Sequence, residues 1–294
     1  QCISESFGFK AVNGKKVAAS FDGGAITSDA GVLLLGLADR AIGLTGRFAA
    51  CFTDTRTPEL VVHDLETLVL QRIAGIALGY EDVNDHDQLR FDPVMAVLAG
   101  KLRTFRKDCG PLAGKSTLNR LEHAPSSEGV NRYHKISHNA DAIRRLFTEF
   151  FMESYKEPPS EIVLDLDATD DPLHGDQEGK FFHGYYKGYC YLPLYVFCGR
   201  HLLAAELRTA DRDAAAGSKE ILAPMVERIR QSWPGVRIIV RGDSGFAREE
   251  LMRWCEENGV DYLFGLARNA RLEKEIGDEL AQAKTAFEET REAA

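Results

Sequence analysis

Asp167 and Asp243 each stand at the end of an apolar, β-branched run, where a sheet can hold a carboxylate out toward a divalent cation. The first run is Ile162-Val163-Leu164-Asp165-Leu166-Asp167-Ala168-Thr169. The second is Val236-Arg237-Ile238-Ile239-Val240-Arg241-Gly242-Asp243-Ser244-Gly245. Hard cations take oxygen ligands, and a pair of them can activate an attacking oxygen while stabilising a leaving one. Ser244 and Gly245 are small enough to let a metal or phosphate approach Asp243. Strand-end aspartates also cap turns and helices, so spacing by itself leaves both readings open. Asp165 lies on the same face as Asp167 by the two-residue period and is the competing first ligand. Asp170 and Asp171, before Pro172, read as turn residues.

The elements that position these carboxylates follow Pro158-Pro159, a pair that breaks helices and favours an extended linker. Ile162–Asp167 reads as a strand, followed by a polar, glycine-rich loop. Tyr189–Cys198 and His201–Leu207 read as a strand pair joined at Gly199-Arg200. Ser218–Trp233 reads as a helix bent at Pro224, Val236–Arg241 as a strand, Ala247–Asn258 as a helix stopped by Gly259, and Asp261–Ala267 as a last strand. Residues 270–294 are charged and helix-forming. The order β-β-β-α-β-α-β suits a mixed sheet with helices on its faces. It is the element order of the RNase H-like fold, in which the first and fourth strands are neighbours.

Before residue 158 the pattern is mainly helical. Residues 1–27 read as extended or looped, with a turn at Phe21-Asp22-Gly23-Gly24. Ser28 reads as the cap of a helix ending near Gly43, Thr57-Pro58 as the start of one running to Gly79, and Asp92-Pro93 as the start of a short one ending near Gly100. Ser116 reads as a further cap, and 140–155 as an amphipathic helix. These readings give three regions: 1–157, mainly helical; 158–270, the mixed-sheet core; and 271–294, helical.

A chain of 294 residues, 44% hydrophobic and 28% charged, has the composition of an ordinary soluble protein. No apolar run approaches the roughly 20 residues of a membrane span, and no signal-peptide pattern is present. That reads as a cytoplasmic protein. The chain opens on Gln1-Cys2 without a methionine, which reads as a processed or cut start. Six cysteines lie far apart without a C-x-x-C, a spacing that is poor for a zinc knuckle, gives no disulfide framework and reads as reduced thiols. A net charge of −9 argues against a uniformly basic nucleic-acid binder but leaves room for local patches. The most basic stretch, 101–120, offers Arg103, Arg106, Lys107 and Lys115 as phosphate contacts. Tyr186 and Lys187, in a tyrosine-rich segment, either line a DNA path or pack against the sheet.

Four segments together carry a family resemblance. They are Phe21-Asp-Gly-Gly-Ala-Ile-Thr-Ser-Asp-Ala-Gly, Asp167-Ala-Thr-Asp-Asp-Pro-Leu-His-Gly, Gly184-Tyr-Tyr-Lys-Gly-Tyr-Cys-Tyr-Leu-Pro-Leu and Arg241-Gly-Asp-Ser-Gly-Phe. The chain resembles bacterial insertion-sequence transposases with a DDE catalytic domain over nearly its whole length. The resemblance implies an RNase H-like domain, cut-and-paste DNA transposition with Mg²⁺ (or Mn²⁺), and Asp167 and Asp243 as the first two catalytic carboxylates. It also implies double-stranded DNA at the element ends and at the target as partners, a homodimer that brings two ends together, and a nucleoid location when DNA is bound. For the regions, it implies DNA binding and dimerisation for 1–157 and the start of an insertion for 271–294. The family's third carboxylate is a Glu in a Tyr…Arg…Glu…Lys context, which does not occur here; Glu273, Glu275, Glu279 and Glu288 read as solvated helix positions. The chain therefore reads as truncated before that residue. The rival readings are another RNase H-like nuclease and a non-catalytic DNA-binding relic.

Two other motifs weigh little. Gly110-Pro-Leu-Ala-Gly-Lys-Ser116 is one residue short of a phosphate loop and follows no strand. His134-Lys-Ile-Ser-His138 has the i,i+4 histidines of a helix but lacks the Glu of H-E-x-x-H.

Overall fold

Asn13 and Gly14 both adopt left-handed backbone angles, φ 48° and 75°, which match the twist of a two-residue hairpin turn. They join β1 (Ser6–Val12) to β2 (Lys15–Ser20), antiparallel with Val12 opposite Lys15. A hairpin thus stands where the sequence suggested only extended or looped chain. The structure, a computed structural model, describes residues 6–20, 26–101, 110–126, 134–267 and 269–291. Arg103, Arg106, Lys107 and the Phe21–Gly24 turn lie outside the described residues.

The chain divides into two compact units, Gln1–Leu146 and Phe147–Ala294. The first holds α1 (Val32–Ile42), α2 (Leu44–Ala49), β3 (Phe52–Asp54), α3 (Leu65–Ala77), α4 (His86–Leu89), α5 (Pro93–Leu98), α6 (Lys115–Glu122), β4 (Ile136–His138) and the start of α7 (Ala140–Glu153). Its apolar clusters centre on Leu68 and Leu118, and on Val32, Met95 and Leu112.

Several helix starts differ from the sequence reading for local reasons. Ser28 spends its hydroxyl on Asp29 Oδ1, and α1 begins only after Gly31. Thr57-Pro58 opens a single 3₁₀ turn, Pro58–Leu60, after which Val61 is extended. The cap of α3 is instead Asp64, whose Oδ1 accepts from Thr67 N at 2.8 Å. Asp92 does cap α5, accepting from Val94 N at 2.8 Å. Ser116 lies inside α6, which starts after Gly114 without a side-chain cap. His138 lies on β4, paired with β3, so the His134 and His138 spacing is not helical.

The second unit contains β5 (Glu161–Ala168), β6 (Asp171–Pro172), β7 (Phe181–His183), β8 (Gly188–Tyr191), β9 (Leu194–Cys198), β10 (His201–Glu206), α8 (Ser218–Ser232), β11 (Arg237–Gly242), α9 (Glu249–Glu257), β12 (Asp261–Phe264), α10 (Ala270–Glu275) and α11 (Gly277–Thr290). Five strands form one sheet in the order β10-β9-β5-β11-β12. β9 is antiparallel to both its neighbours, while β11 is parallel to β5 and β12. Numbered by appearance within this sheet, the order is 3-2-1-4-5, that of an RNase H-like mixed sheet. Ile162, Leu164 and Leu166 alternate as buried residues on β5, and they pack with Leu222, Met225 and Ile229 of α8 and with Leu251 and Cys255 of α9.

The expected single strand Tyr189–Cys198 is two strands. Pro193 has no N–H to give to a ladder, and the chain changes sheets there. β8 joins a three-stranded sheet, β6-β8-β7, while β9 enters the main one. The last sheet strand also ends at Phe264 rather than Ala267. Residues expected to form charged helix do so in α10 and α11, neither of which has a buried residue.

Candidate active site

Parallel pairing of β5 and β11 runs from Arg237 opposite Glu161 to Arg241 opposite Asp165. Two residues further along each chain lie Asp243 and Asp167. The same register carried forward sets them side by side on strands about 4.8 Å apart. Asp167 still belongs to the sheet, paired on its other side with Tyr195 of β9. Asp243 lies just past the end of β11, where Gly265 N donates to Gly242 O at 3.0 Å and Phe246 N to Asp243 O at 3.2 Å.

The charges of both carboxylates act on Tyr186. Burial raises its phenol pKa first, and the negative charges of Asp170, Asp167 and Asp243 all add to the shift. Its hydroxyl faces Ala168 O at 3.4 Å, and its ring meets those of His183 and Tyr185 at 4.9 and 5.0 Å. The phenol therefore stays protonated beside the acidic cluster.

Asp165 and Asp167 differ in the partners they hold. Arg241 grips Asp165 with two bonds, Nε to Oδ1 at 2.5 Å and Nη2 to Oδ2 at 2.9 Å. Among the described residues no donor or cation bonds the Asp167 carboxylate. Asp243 accepts one bond, from Gly245 N to Oδ1 at 2.8 Å. Both carboxylates thus keep oxygens free for a hard cation, as the chemistry of such a ligand set requires. Among the described residues no third His, Cys, Asp or Glu joins them in a group able to hold a metal.

The space around Asp243 is tight at two glycines. A Cβ on Gly245 would lie 2.9 Å from Asp243 Oδ1 and 3.2 Å from Ala214 Cβ; one on Gly265 would lie 3.0 Å from Ser244 N and 3.3 Å from Asp243 C. The loop is pressed from both sides by backbone and short side chains.

Residues 9–294 match the family model described as Transposase DDE domain group 1. The chain belongs to that family. Nuclease and transposase chemistry on DNA is the activity class of a DDE transposase domain. Among solved structures, the catalytic domain of Mos1 mariner transposase is similar at 14% identity, covering 52% of this chain and 73% of that one, with a TM-score of 0.29. The Mos1 mariner paired end complex with Mn is similar at 12% identity, covering 81% and 78%, with a TM-score of 0.26. Strand order, not these superpositions, carries the fold of this transposase-family chain. No curated protein matches it.

The remaining candidate residues are spread out. Lys187 turns the β7–β8 hairpin with φ 54°. Lys115 lies in the first unit at the start of α6, its ammonium 3.2 Å from Asn84 Oδ1 and 3.4 Å from Asp87 Oδ2. Sequence reasoning overlooked Arg241 as the partner of Asp165, although its two-residue phase with Asp243 puts it on that face. It also overlooked Asp170 as the nearest strong charge on Tyr186. Among the described residues no helix is long and apolar enough to cross a membrane.

Proposed function

We propose that this transposase-family chain hydrolyses a phosphodiester at the ends of its own mobile element and transfers the freed strand to target DNA. Asp167 and Asp243 hold the divalent cation, Mg²⁺ with Mn²⁺ as a substitute, and a third acidic ligand completes the set. When bound, the cation would supply Lewis-acid chemistry that favours an attacking water and a charged leaving oxygen, with Asp167 and Asp243 as the residues that would hold it. Water attacks phosphorus, its oxygen stays on the 5′-phosphate, and the released 3′-oxygen takes a proton. That 3′-hydroxyl then attacks a target phosphodiester and displaces a second 3′-oxygen.

Asp167 and Asp243 orient these oxygens from two rigid strand ends, and Tyr186, protonated, lines the same site. Lys187 and the basic residues Arg103, Arg106, Lys107 and Lys115 provide phosphate contacts to double-stranded DNA. Two copies pair two element ends, in the bacterial cytoplasm at the nucleoid. The carrying observation is that strands β5 and β11 are parallel neighbours whose last registered pair lies two residues before both carboxylates.

Titrating Mn²⁺ and reading the free ion by electron paramagnetic resonance tests the ligand assignment directly. Asp167→Ala and Asp243→Ala are each expected to weaken binding at least ten-fold, about 1.4 kcal/mol or more. Wild-type binding in both variants overturns it. Product analysis with Mg²⁺ on a plasmid carrying the element ends then separates the reactions, since joined products require strand transfer and a plain hydrolase yields only cuts.

A further inference from the structure

Three charged side chains behind Asp243 have no part in the reading above. Arg208 follows β10 and is only 7% exposed. Its Nε donates to Leu192 O at 2.9 Å, and its Nη1 donates to Ala214 O at 3.2 Å and Ala216 O at 2.5 Å. Leu192 N returns a bond to Arg208 O at 2.8 Å. A guanidinium this far from water is costly to bury without full hydrogen bonding. Here Nη1 bonds two carbonyls of the 209–217 segment and Nε that of Leu192, while Nη2 is buried without a partner among the described residues.

The same segment is tied to the loop after Asp243 from above. Asp213 Oδ1 accepts from Ala215 N at 3.0 Å, and Oδ2 accepts from Arg248 Nε at 3.2 Å and Nη2 at 2.7 Å. Arg248 Nη1 also approaches Ser244 O at 3.4 Å and Ala247 O at 3.3 Å. Between these two anchors, Ala214 Cβ stands 3.2 Å from where a Cβ on Gly245 would be. Among the described residues, Gly245 supplies the only amide that bonds Asp243 Oδ1.

We propose that Arg208 and the Asp213–Arg248 pair are positioning residues for Asp243. They hold the 209–217 segment as a backstop that keeps the Gly245 amide on Oδ1 and so fixes the direction of the free oxygen toward the cation. The proposal rests on the reading that Asp243 is a metal ligand. Burial alone would lift the Asp213 carboxyl, but the bonds from Arg248 and from the Ala215 amide, with the charges of Arg248 and Arg208, outweigh it and hold it low. Asp213 is therefore ionised wherever DNA chemistry runs.

This role is separable from a structural one. The Asp213–Arg248 pair is about half exposed on both sides, and such pairs contribute little to stability. A misplaced ligand is far more costly to function, since a shift of about 1 Å costs up to ~10²-fold in rate.

Mn²⁺ titration of the full chain, read by electron paramagnetic resonance, is run beside thermal melting for Asp213→Asn, Arg248→Gln, Arg248→Lys and Asp243→Ala. Asp213→Asn and Arg248→Gln are expected to weaken Mn²⁺ binding by about ten-fold, with melting temperatures within about 2 °C of wild type. Arg248→Lys, which keeps the charge, is expected to recover part of the loss. If Asp213→Asn and Arg248→Gln bind Mn²⁺ as wild type does while Asp243→Ala does not, the positioning role is overturned and the ligand assignment stands. If Asp243→Ala itself binds as wild type, the ligand assignment falls and this proposal falls with it. Arg208→Lys is a further variant, informative only where its melting temperature matches wild type.

Discussion

Replacing Gly265 by alanine adds one methyl group at a close approach to the backbone of Asp243 and Ser244. That carbon would lie 3.0 Å from Ser244 N and 3.3 Å from Asp243 C, whereas ordinary contacts between heavy atoms sit near 3.5–4.0 Å. Neither neighbour is the end of a flexible side chain, so the loop itself must retreat by roughly half an ångström. Overpacking of this kind costs about 1–3 kcal/mol, which for a chain of this size lowers the melting temperature by roughly 3–10 °C. The retreat moves Asp243 relative to Asp167, so Mn²⁺ affinity is expected to fall at least several-fold, and cleavage by up to ~10²-fold. Calorimetry and Mn²⁺ titration on the same preparation give both numbers. An unchanged melting temperature together with an unchanged binding isotherm refutes the close-packed account of this loop. A lowered melting temperature with unchanged Mn²⁺ binding refutes only the link from packing to the carboxylate.

Asp165→Asn breaks an exposed pair with Arg241 but touches no proposed ligand, so Mn²⁺ affinity is expected to stay within about two-fold and stability within ~1 kcal/mol; a ten-fold loss of Mn²⁺ binding would restore Asp165 as a ligand. His86 is fully buried against Gln71, and burial, reinforced by Arg72, lowers its pKa. Because the unfolded chain binds that proton more readily, its stabilising contribution is complete above about pH 6.5 and is lost as pH falls below it. Melting curves from pH 7.5 to 5.5 should therefore slope less steeply in His86→Asn than in wild type, and equal slopes would contradict the assignment. Cys255 is fully buried and its thiol is pushed up to about 11 by burial, with Glu256 adding; at pH 8 only about one thiol in 10³ is ionised. Mass spectrometry should find it unalkylated by iodoacetamide until denaturant is added, and rapid native labelling would disprove its burial.

The carboxylates and their strands were legible because they depend on local pattern. Alternation on β5 and the small residues after Asp243 are visible in the chain, and the β-β-β-α-β-α-β order implies adjacency of the first and fourth strands. Asp92-Pro93 was legible for the same reason, since cap and proline act on the turn they begin. Thr57-Pro58 carries the same signal and yields only one 3₁₀ turn, because the helix face that packs starts later, at Leu65. Asn13-Gly14 is a strong hairpin signal that was passed over. The split at Pro193 was legible too, had the missing N–H been weighed against the apolar run. What the chain does not display is partnership at a distance. Arg241 with Asp165, and Arg248 with Asp213, are 76 and 35 residues apart, and a lone arginine in a sequence does not say which carboxylate it will meet.

The parallel contact between β5 and β11 has a consequence for how the protein comes into being. Its two halves are separated by five intervening strands, β6 to β10, and the whole of α8, so this is a long-range pairing of the kind that forms slowly. A ribosome must release the chain well past Gly242 before Asp167 has Asp243 beside it. During synthesis the emerging polypeptide carries the two acids proposed as metal ligands without their shared geometry until its central sheet closes.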